Sequence, residues 1–519
     1  MTNEEAKNKA VYNSFYGLLN RLVILILGMV FRRVLIRNLG DDISGLTGLY
    51  QNILDFLKLT TAGLASSAIY NIYQLRAKND EEGIAKLVKF ITYFYYTVVT
   101  VIFTLGIIFS VFIDSFIYNN TYPLYYLRIL FMLQILSECV SDLFYSRNLL
   151  LQATNDSNVL SKIEMTISVI YYVVCIGAII IWKSVPLYLM ILIGKNLIIG
   201  ILVYVKAGKM YPGMVRKDVT IHFSEFKPII FQTKDTIIIQ ISNFIFLSTD
   251  SLVISKWLGL SDVNKYNNYL IIFNALITFI DEVNGSIRNS YGNLLAEKNS
   301  STQRLSFVET SCILSSVIGV FCISELSGLV DDFIELWIGK SYVLPVIVVS
   351  IFILNFFTQN IGYGLKNYLL LNGRFHANGI IMLVGAIVNI VLSIALVQSY
   401  GILGVIIGTF CGNLIMNVLR TIFFYKKDVN SSPNYFLAQS IKGLLLSIFV
   451  FCIAFLVKRL LAGYAVLPRF IATLIISTIV PFIVCHFAYR KNGTYEYLVA
   501  YLKGLVKKLS DDIQRKNQE

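Results

Sequence analysis

Fourteen apolar runs divide the chain, and they constrain its fold more than any other feature. Most are about 20 residues or longer, the length at which a helix spans a hydrocarbon core of about 30 Å. A water-soluble fold would have to hide all of them from solvent. The pattern therefore predicts an all-α polytopic membrane protein with about 14 transmembrane helices. The predicted spans are 12–32, 43–70, 87–113, 122–150, 157–182, 185–206, 228–256, 264–291, 304–325, 343–371, 377–398, 401–425, 436–459 and 467–489.

Composition supports the same class of protein. Hydrophobic residues make up 56% of the chain and charged residues 14%, whereas a soluble domain is about 45–50% apolar and about 25% charged. The net charge of +13 comes from Lys and Arg scattered between the apolar runs. A nucleic-acid-binding domain concentrates such residues in one patch or stripe, so we expect no nucleic-acid partner.

The distribution of charge predicts the orientation. If alternate loops lie on alternate sides, most of the Lys and Arg residues fall on the side of the N-terminus, which is therefore cytoplasmic. The inner loop from Ala207 to Lys227 is basic, while the outer connection from Glu325 to Glu335 is acidic. Because the number of spans is even, both termini are predicted to be inside.

The sequence also repeats itself. Leu149–Asp156 ends the fourth span as Leu369–His376 ends the tenth, an offset of 220 residues, and Leu39-Gly40 matches Leu258-Gly259 at an offset of 219. The repeat predicts two six-helix lobes in the same membrane orientation, followed by two further helices. In transporters built this way, the substrate site lies between the repeats and access alternates as they rock.

These patterns predict five regions. Leucines and Ile513 at helical spacing, with lysines largely off that stripe, suggest that the end of the chain lies on the inner leaflet. The regions are an N-terminal six-helix lobe (1–210), a cytoplasmic linker (211–227), a C-terminal six-helix lobe (228–430), transmembrane helices 13 and 14 (431–490) and a cytoplasmic amphipathic tail (491–519).

Arg37–Leu46 and Ala62–Leu64, with the later Asn372–Arg374, Val388–Ile390 and Tyr400–Gly404, resemble the Wzx-type polysaccharide flippases. These belong to the multidrug/oligosaccharidyl-lipid/polysaccharide exporter superfamily. The resemblance implies a flippase of the bacterial cytoplasmic membrane. Its cargo would be undecaprenyl-pyrophosphate-linked oligosaccharide, the repeat unit of O-antigen, capsule or exopolysaccharide, moved from the inner to the outer leaflet. Lipid II flippases and multidrug cation antiporters of the same superfamily remain alternatives.

The resemblance also bears on partners. We expect the lipid-linked oligosaccharide and the bilayer as partners, with a glycan polymerase and chain-length machinery as further candidates. The protein is expected to act as a monomer.

Cationic residues inside the spans are the candidates for binding an anionic headgroup. Intramembrane charges are costly and are usually functional, and a pyrophosphate is held by Arg as a bidentate donor or by Lys as a point charge. The candidates are Arg21, Lys58, Lys195 and Arg288. For Lys58 the alternative is simple neutralisation by Asp55, three residues earlier on the same helical face.

Six acidic residues in the spans form a second set of candidates. They could contact sugar hydroxyls, balance the cations, or couple H⁺ or Na⁺ movement to transport. These residues are Asp55, Glu138, Asp142, Asp235, Asp250 and Asp281. The sequence predicts neither a cofactor nor a metal site, because its three histidines are far apart and no Cys-x-x-Cys occurs.

We expect no enzyme activity. A membrane-embedded glycan polymerase, the enzyme that would suit such a chain, would be expected to have a sizeable aqueous domain, and the longest outer connection, 324–342, is too short to fold alone. Gly339-Lys340-Ser341 is no phosphate-binding loop, because Ile334 stands where that motif requires Gly.

Overall fold

The computed structural model describes residues 3–118, 121–216, 218–221, 226, 234–297 and 300–496. Within these ranges, the side chains of 3–11, 14, 56, 59–64, 66, 234–237 and 282–297 lie outside the description. The predicted amphipathic tail falls almost wholly outside the described residues.

Seventeen α-helices make up most of the described chain, and none of its residues forms a strand. The helices are α1 (Asn3–Leu39), α2 (Asp41–Leu57), α3 (Leu59–Ala77), α4 (Glu81–Val111), α5 (Leu124–Leu143), α6 (Tyr145–Ala153), α7 (Ser157–Trp182), α8 (Val185–Met210), α9 (Lys234–Trp257), α10 (Leu260–Glu297), α11 (Ser301–Trp337), α12 (Val346–Ile361), α13 (Tyr363–Leu371), α14 (Phe375–Tyr400), α15 (Ile402–Ile422), α16 (Asn434–Leu460) and α17 (Val466–Tyr489).

Eleven stretches of the described helices are long and apolar enough to cross a membrane. They coincide with eleven of the predicted spans and confirm the all-α polytopic fold. The other three predicted spans, 12–32, 43–70 and 264–291, lie on α1, on α2 with α3, and on α10.

Several predicted spans differ in detail from the helices. The spans 43–70, 122–150 and 343–371 are interrupted at Lys58, Phe144 and Gly362. No proline marks these positions, and hydropathy averaged over a span does not resolve a one-residue break. The predicted ninth span, 304–325, is too short, because α11 continues for another twelve residues to Trp337. The acidic stretch from Glu325 to Glu335 is therefore helical and not a loop.

The internal repeat is confirmed by the helix lengths. The short helices α6 and α13 each have 9 residues, and the helices that follow them, α7 and α14, each have 26. α6 begins at Tyr145 and α13 at Tyr363, an offset of 218 residues. The same succession of a longer helix, a break, a nine-residue helix and a 26-residue helix thus occurs twice.

The glycine pair of the repeat has a conformational reason. Gly40 and Gly259 have φ values of 87° and 104°, a region that residues with a side chain rarely adopt. Each amide closes the preceding helix, donating to Ile36 O at 3.0 Å and to Ile254 O at 3.1 Å, respectively. Each glycine therefore ends one helix and allows the next to begin within one residue.

The described residues group into two compact units, Met1–Asn267 with Ser393–Val405, and Asn268–Leu392 with Ile406–Glu519. In the first unit, α2, α5, α7 and α8 share one hydrophobic core around Tyr50, Phe131 and Cys175. A second core joins α3, α4 and α6, where Phe226 stacks on Phe90 with 4.4 Å between ring centroids. The predicted domain boundaries stay predictions.

α11 organises the second unit by packing against α12, α16 and α17. The contacts with α16 and α17 run over small residues. Gly443 of α16 approaches Ser316, and Gly328 approaches Thr473 of α17 and Ala454 of α16. Close approach of this kind is typical of helix packing in membranes, where van der Waals contact replaces a hydrophobic driving force.

Candidate functional site

Lys58 occupies the break between α2 and α3 and faces two carboxylates of α5. Its Nζ lies 2.6 Å from Glu138 Oε2 and 3.3 Å from Asp142 Oδ1. The side chains of Lys58 and Glu138 are 25% and 21% exposed, and that of Asp142 is 6% exposed. Glu138 and Asp142 share a face of α5 because they are four residues apart, so one cation is held by a pair of acids.

Asp55 has a different environment. It is exposed and accepts a hydrogen bond from Gln51 Nε2 at 3.1 Å. Gln134 of α5 donates to Gln51 Oε1 and to the Thr47 carbonyl, both at 3.3 Å. The two carboxylates that bridge to Lys58 are thus on α5, not one turn back on its own helix. Gln134 also connects α5 to α2 on one side of this bridge.

A second polar group joins α1, α7 and α8. The ammonium of Lys195 lies 5.0 Å from the ring centroid of Tyr171 and interacts electrostatically with Glu164 and Glu138. Glu164 accepts a hydrogen bond from Asn20 Nδ2 at 3.0 Å. Sequence reasoning missed Glu164 and Asn20. The signal for Glu164 was present, since it is the one acidic residue in the apolar run 157–182.

We define the polar seam as these interior polar side chains of the first unit. Its members are Asn20, Lys58, Gln134, Glu138, Asp142, Glu164 and Lys195. The seam holds two lysines against three carboxylates, so it can exchange an ion-pair partner for an anionic ligand, a cation or a proton. Among the described residues, no three His, Cys, Asp or Glu side chains converge as a metal site would require.

The remaining predicted site residues are Arg21, Asp235, Asp250, Asp281 and Arg288. Arg21 is exposed on α1, and Asp281 is exposed on α10. Asp250 of α9 is buried and accepts a hydrogen bond from the Tyr266 hydroxyl at 2.8 Å. The side chains of Asp235 and Arg288 lie outside the described residues.

Two further arginines are embedded in the first unit. Arg147 of α6 is buried, with its guanidinium carbon 4.9 Å from the ring centroid of Tyr204. Arg32 of α1 donates from Nη2 to Asn264 Oδ1 at 2.9 Å. Both lie in apolar runs where only a tertiary partner distinguishes a packed arginine from a snorkelling one.

The acidic end of α11 forms an ion-pair network in the second unit. Arg469 of α17 makes a two-pronged bridge to Asp332, with both N–O distances 2.8 Å, and reaches Glu335 at 3.3 Å. Lys458 of α16 lies 2.8 Å from Asp331 Oδ2. This network fixes α16 and α17 against one end of α11, so these acids have a structural role there.

The fold matches solved structures, although no protein family model and no curated protein matches the sequence. The lipid II flippase MurJ, in an inward closed conformation, superimposes with a TM-score of 0.66 at 14% identity, over 93% of this chain and 99% of that one. An inward-facing multidrug resistance MATE family transporter of the MOP superfamily gives 0.64 at 13% identity, over 81% and 95% of the two chains. A mutant of the Vibrio cholerae MATE transporter VcmN gives 0.56 at 12% identity, over 83% and 100%.

These matches define the class of fold. The chain has the polytopic helical architecture shared by MurJ and the MATE transporters. At 11–14% identity the likeness concerns the fold, and the seam residues have to be interpreted from their own chemistry.

Proposed function

We propose that the protein is a flippase that moves undecaprenyl-pyrophosphate-linked oligosaccharide from the inner to the outer leaflet of the bacterial cytoplasmic membrane. The observation that carries this proposal is the extent of the match to a lipid flippase. The part of the chain that the MurJ match leaves uncovered is about 36 of 519 residues. α16 and α17 together are longer, with 27 and 24 residues, so the match includes part of that helix pair.

The matches to multidrug transporters are shorter. They leave 15–19% of this chain uncovered, which is enough to omit both final helices. The match to MurJ thus extends beyond the two predicted six-helix lobes. This extent favours a lipid-linked cargo over a small soluble one.

The seam supports an anionic headgroup. Two lysines held inside an apolar bundle are costly to bury unless they are paired or used. Lys58 sits at a helix break, where its long side chain can leave Glu138 and Asp142 to meet a phosphate as a mobile point charge. While no cargo is bound, Glu138 and Asp142 stabilise the charged form of Lys58 by forming ion pairs with it. Export itself proceeds by alternating access.

Under this proposal the carboxylates of the seam have two further roles, ion coupling and contact with the sugar. When Lys58 engages a phosphate, Glu138 and Asp142 lose their counter-ion and favour taking up H⁺ or Na⁺, which couples an ion gradient to the cargo. Carboxylates are also good acceptors for sugar hydroxyls. In the cell, the polymerase and chain-length machinery of the same glycan would be the partners, and the protein would work as a monomer.

A multidrug cation antiporter is the second candidate, and one observation favours it. The seam contains more carboxylates than lysines among its described members, as a site for organic cations would. A lipid II flippase is the third candidate, since MurJ is a lipid II flippase.

Deletion of the gene tests these proposals. We expect lipid-linked oligosaccharide to accumulate on the inner leaflet and surface glycan to disappear, with both restored by the intact gene. Headgroup-resolved lipid analysis identifies the cargo and separates lipid II from other undecaprenyl lipids. Raised sensitivity to cationic dyes with normal surface glycan would overturn the flippase proposal and favour the antiporter.

A further inference from the structure

Glu325 is a membrane-embedded carboxylate of the second unit and is not a member of the seam. It lies on α11, is half-buried, and faces Ser477 and Thr478 of α17. These two residues are at the middle of α17, which runs from Val466 to Tyr489. At 1.5 Å per residue, the middle of a 24-residue helix is about 18 Å from either end, so Glu325 lies opposite the centre of a membrane-spanning segment.

Both oxygens of Glu325 are held by hydroxyl groups. Ser477 Oγ lies 2.6 Å from Oε2, and Thr478 Oγ1 lies 2.7 Å from Oε1. Ser324, its neighbour on α11, donates to the Ser477 carbonyl at 2.9 Å. The carboxylate is therefore positioned by a specific set of α11–α17 contacts and does not simply point into lipid.

The hydroxyls have a second acceptor. Thr478 Oγ1 lies 2.8 Å from the Leu474 carbonyl, and Ser477 Oγ lies 3.2 Å from it. With both hydroxyl protons turned to Glu325, the carboxylate has two donors. When one hydroxyl group instead donates to Leu474 O, its oxygen can accept a hydrogen bond from the protonated Glu325. The same atoms thus satisfy the ionised and the neutral form.

No Lys, Arg or His among the described residues forms an ion pair with Glu325. Cys322, one turn earlier on α11, is a titratable group in electrostatic contact with it. Six charged or imidazole side chains lie on the α-helices that pack against α11. They are Lys366 on α13, Lys442, Lys458 and Arg459 on α16, and Arg469 and His486 on α17.

Two of these cations form ion pairs with acidic residues of α11. Arg469 lies eight residues before Ser477 and is bonded to Asp332 and Glu335, and Lys458 is bonded to Asp331. A carboxylate at membrane depth without a cation is expensive as an anion. Proton uptake removes that cost, because the neutral acid needs only the hydrogen bonds that Ser477 and Thr478 already supply.

We propose that Glu325, Ser477 and Thr478 form an intramembrane proton-binding site between α11 and α17. The ligand is H⁺, which adds to one carboxylate oxygen and gives the neutral acid. Release returns the proton and restores the carboxylate with two hydroxyl donors. This site is separate from the seam and does not depend on which cargo is carried.

Dicyclohexylcarbodiimide tests the site, because this lipophilic reagent modifies protonated carboxyl groups within membranes. We expect modification of Glu325 in the intact protein in liposomes, detected by mass spectrometry of its peptide, and a decline as pH rises. The modified peptide should be lost in Glu325→Gln. Glu335→Gln is the matched control, since Glu335 is paired with Arg469 and its loss should leave labelling of Glu325 intact.

The hydroxyl partners give a sharper test. Thr478→Val keeps the shape of the side chain but removes a donor to the carboxylate. We expect the pH of half-maximal labelling to rise by about one unit, the size of one charge-assisted hydrogen bond. Ser477→Ala should act in the same direction.

Infrared difference spectra between high and low pH supply a readout that needs no reagent to enter the bilayer. A carboxylic-acid carbonyl band present in the wild type and absent in Glu325→Gln supports the site. If that band is the same in both proteins, Glu325 does not change protonation and the proposal is overturned. Protection of Glu325 from the carbodiimide by Na⁺ at constant pH would also overturn it, since the ligand would then be a metal cation.

Discussion

Lys58 Nζ and Glu138 Oε2 lie 2.6 Å apart although 80 residues separate them in the sequence. The pair joins the break between α2 and α3 to the second half of α5, and Asp142 adds a second carboxylate. Its consequences for stability and for transport can be separated experimentally.

Replacing Lys58 by Ala should lower both stability and transport. The change leaves Glu138 and Asp142 without their bridging cation, and breaking such a buried bridge costs about 3 kcal/mol. The double variant Lys58→Ala, Glu138→Gln removes one of the stranded charges and should recover much of the thermal stability without recovering export. Thermal unfolding in detergent and surface glycan at equal protein level measure the two effects. If the double variant exported normally, Lys58 would have only a structural role.

Arg21 provides an independent test of the anionic cargo. We expect Arg21→Ala to reduce surface glycan strongly and Arg21→Lys to retain part of it, because the charge remains while the bidentate geometry is lost. Equal expression is checked by immunoblot of the membrane fraction. Unchanged glycan in Arg21→Ala would remove this residue from the mechanism.

The bridge between Arg469 and Asp332 should stabilise the second unit. Asp332 is 1% exposed in its side chain and Arg469 is 14% exposed, so Arg469→Ala strands a buried carboxylate at a cost of about 3 kcal/mol. Arg469→Lys should lose less. Arg459→Ala, at an exposed arginine of α16, is the control and should leave the unfolding temperature unchanged. Equal unfolding temperatures for Arg469→Ala and Arg459→Ala would contradict this role.

The two glycines with positive φ should resist substitution for a conformational reason. Gly40→Ala and Gly259→Ala each place a side chain in a strained region and should cost about 1–2 kcal/mol. A Cβ would meet nothing within 4 Å at Gly40 and only Tyr118 O at 3.9 Å at Gly259, so steric contact is not the cause. Gly177→Ala, inside α7 five residues before its end and with open space around it, should be neutral or stabilising by up to about 1 kcal/mol. Similar unfolding temperatures for all three variants would rule out the backbone explanation.

Much of the fold was predictable from the sequence. The length of the apolar runs identified the helices, and the Leu39-Gly40 and Leu258-Gly259 pair revealed the repeat that the matching helix lengths confirm. The breaks at Phe144 and Gly362 were missed, as was the continuation of α11 to Trp337. Hydropathy reports whether a segment can enter the membrane, and it does not report where a helix bends or how far it extends beyond the apolar core.

The site was predictable only in part. Lys58, Glu138, Asp142 and Lys195 were singled out as charges in apolar runs, but Asp55 was the expected neighbour of Lys58, and Glu325 was assigned to a loop. Asp281 and Arg21 have the same sequence signature and are exposed, and their place in the site stays a prediction.

The sequence by itself determined which segments are helical, how they repeat and where a glycine ends one helix and starts another. Those features depend on backbone hydrogen bonds four residues apart and on local φ preferences, which neighbouring residues specify. Only the tertiary structure decided that Lys58 meets Glu138 and that Glu325 meets Ser477. Such pairs depend on how each helix is rotated about its axis and on which helix packs beside it, and packing of the whole unit sets both.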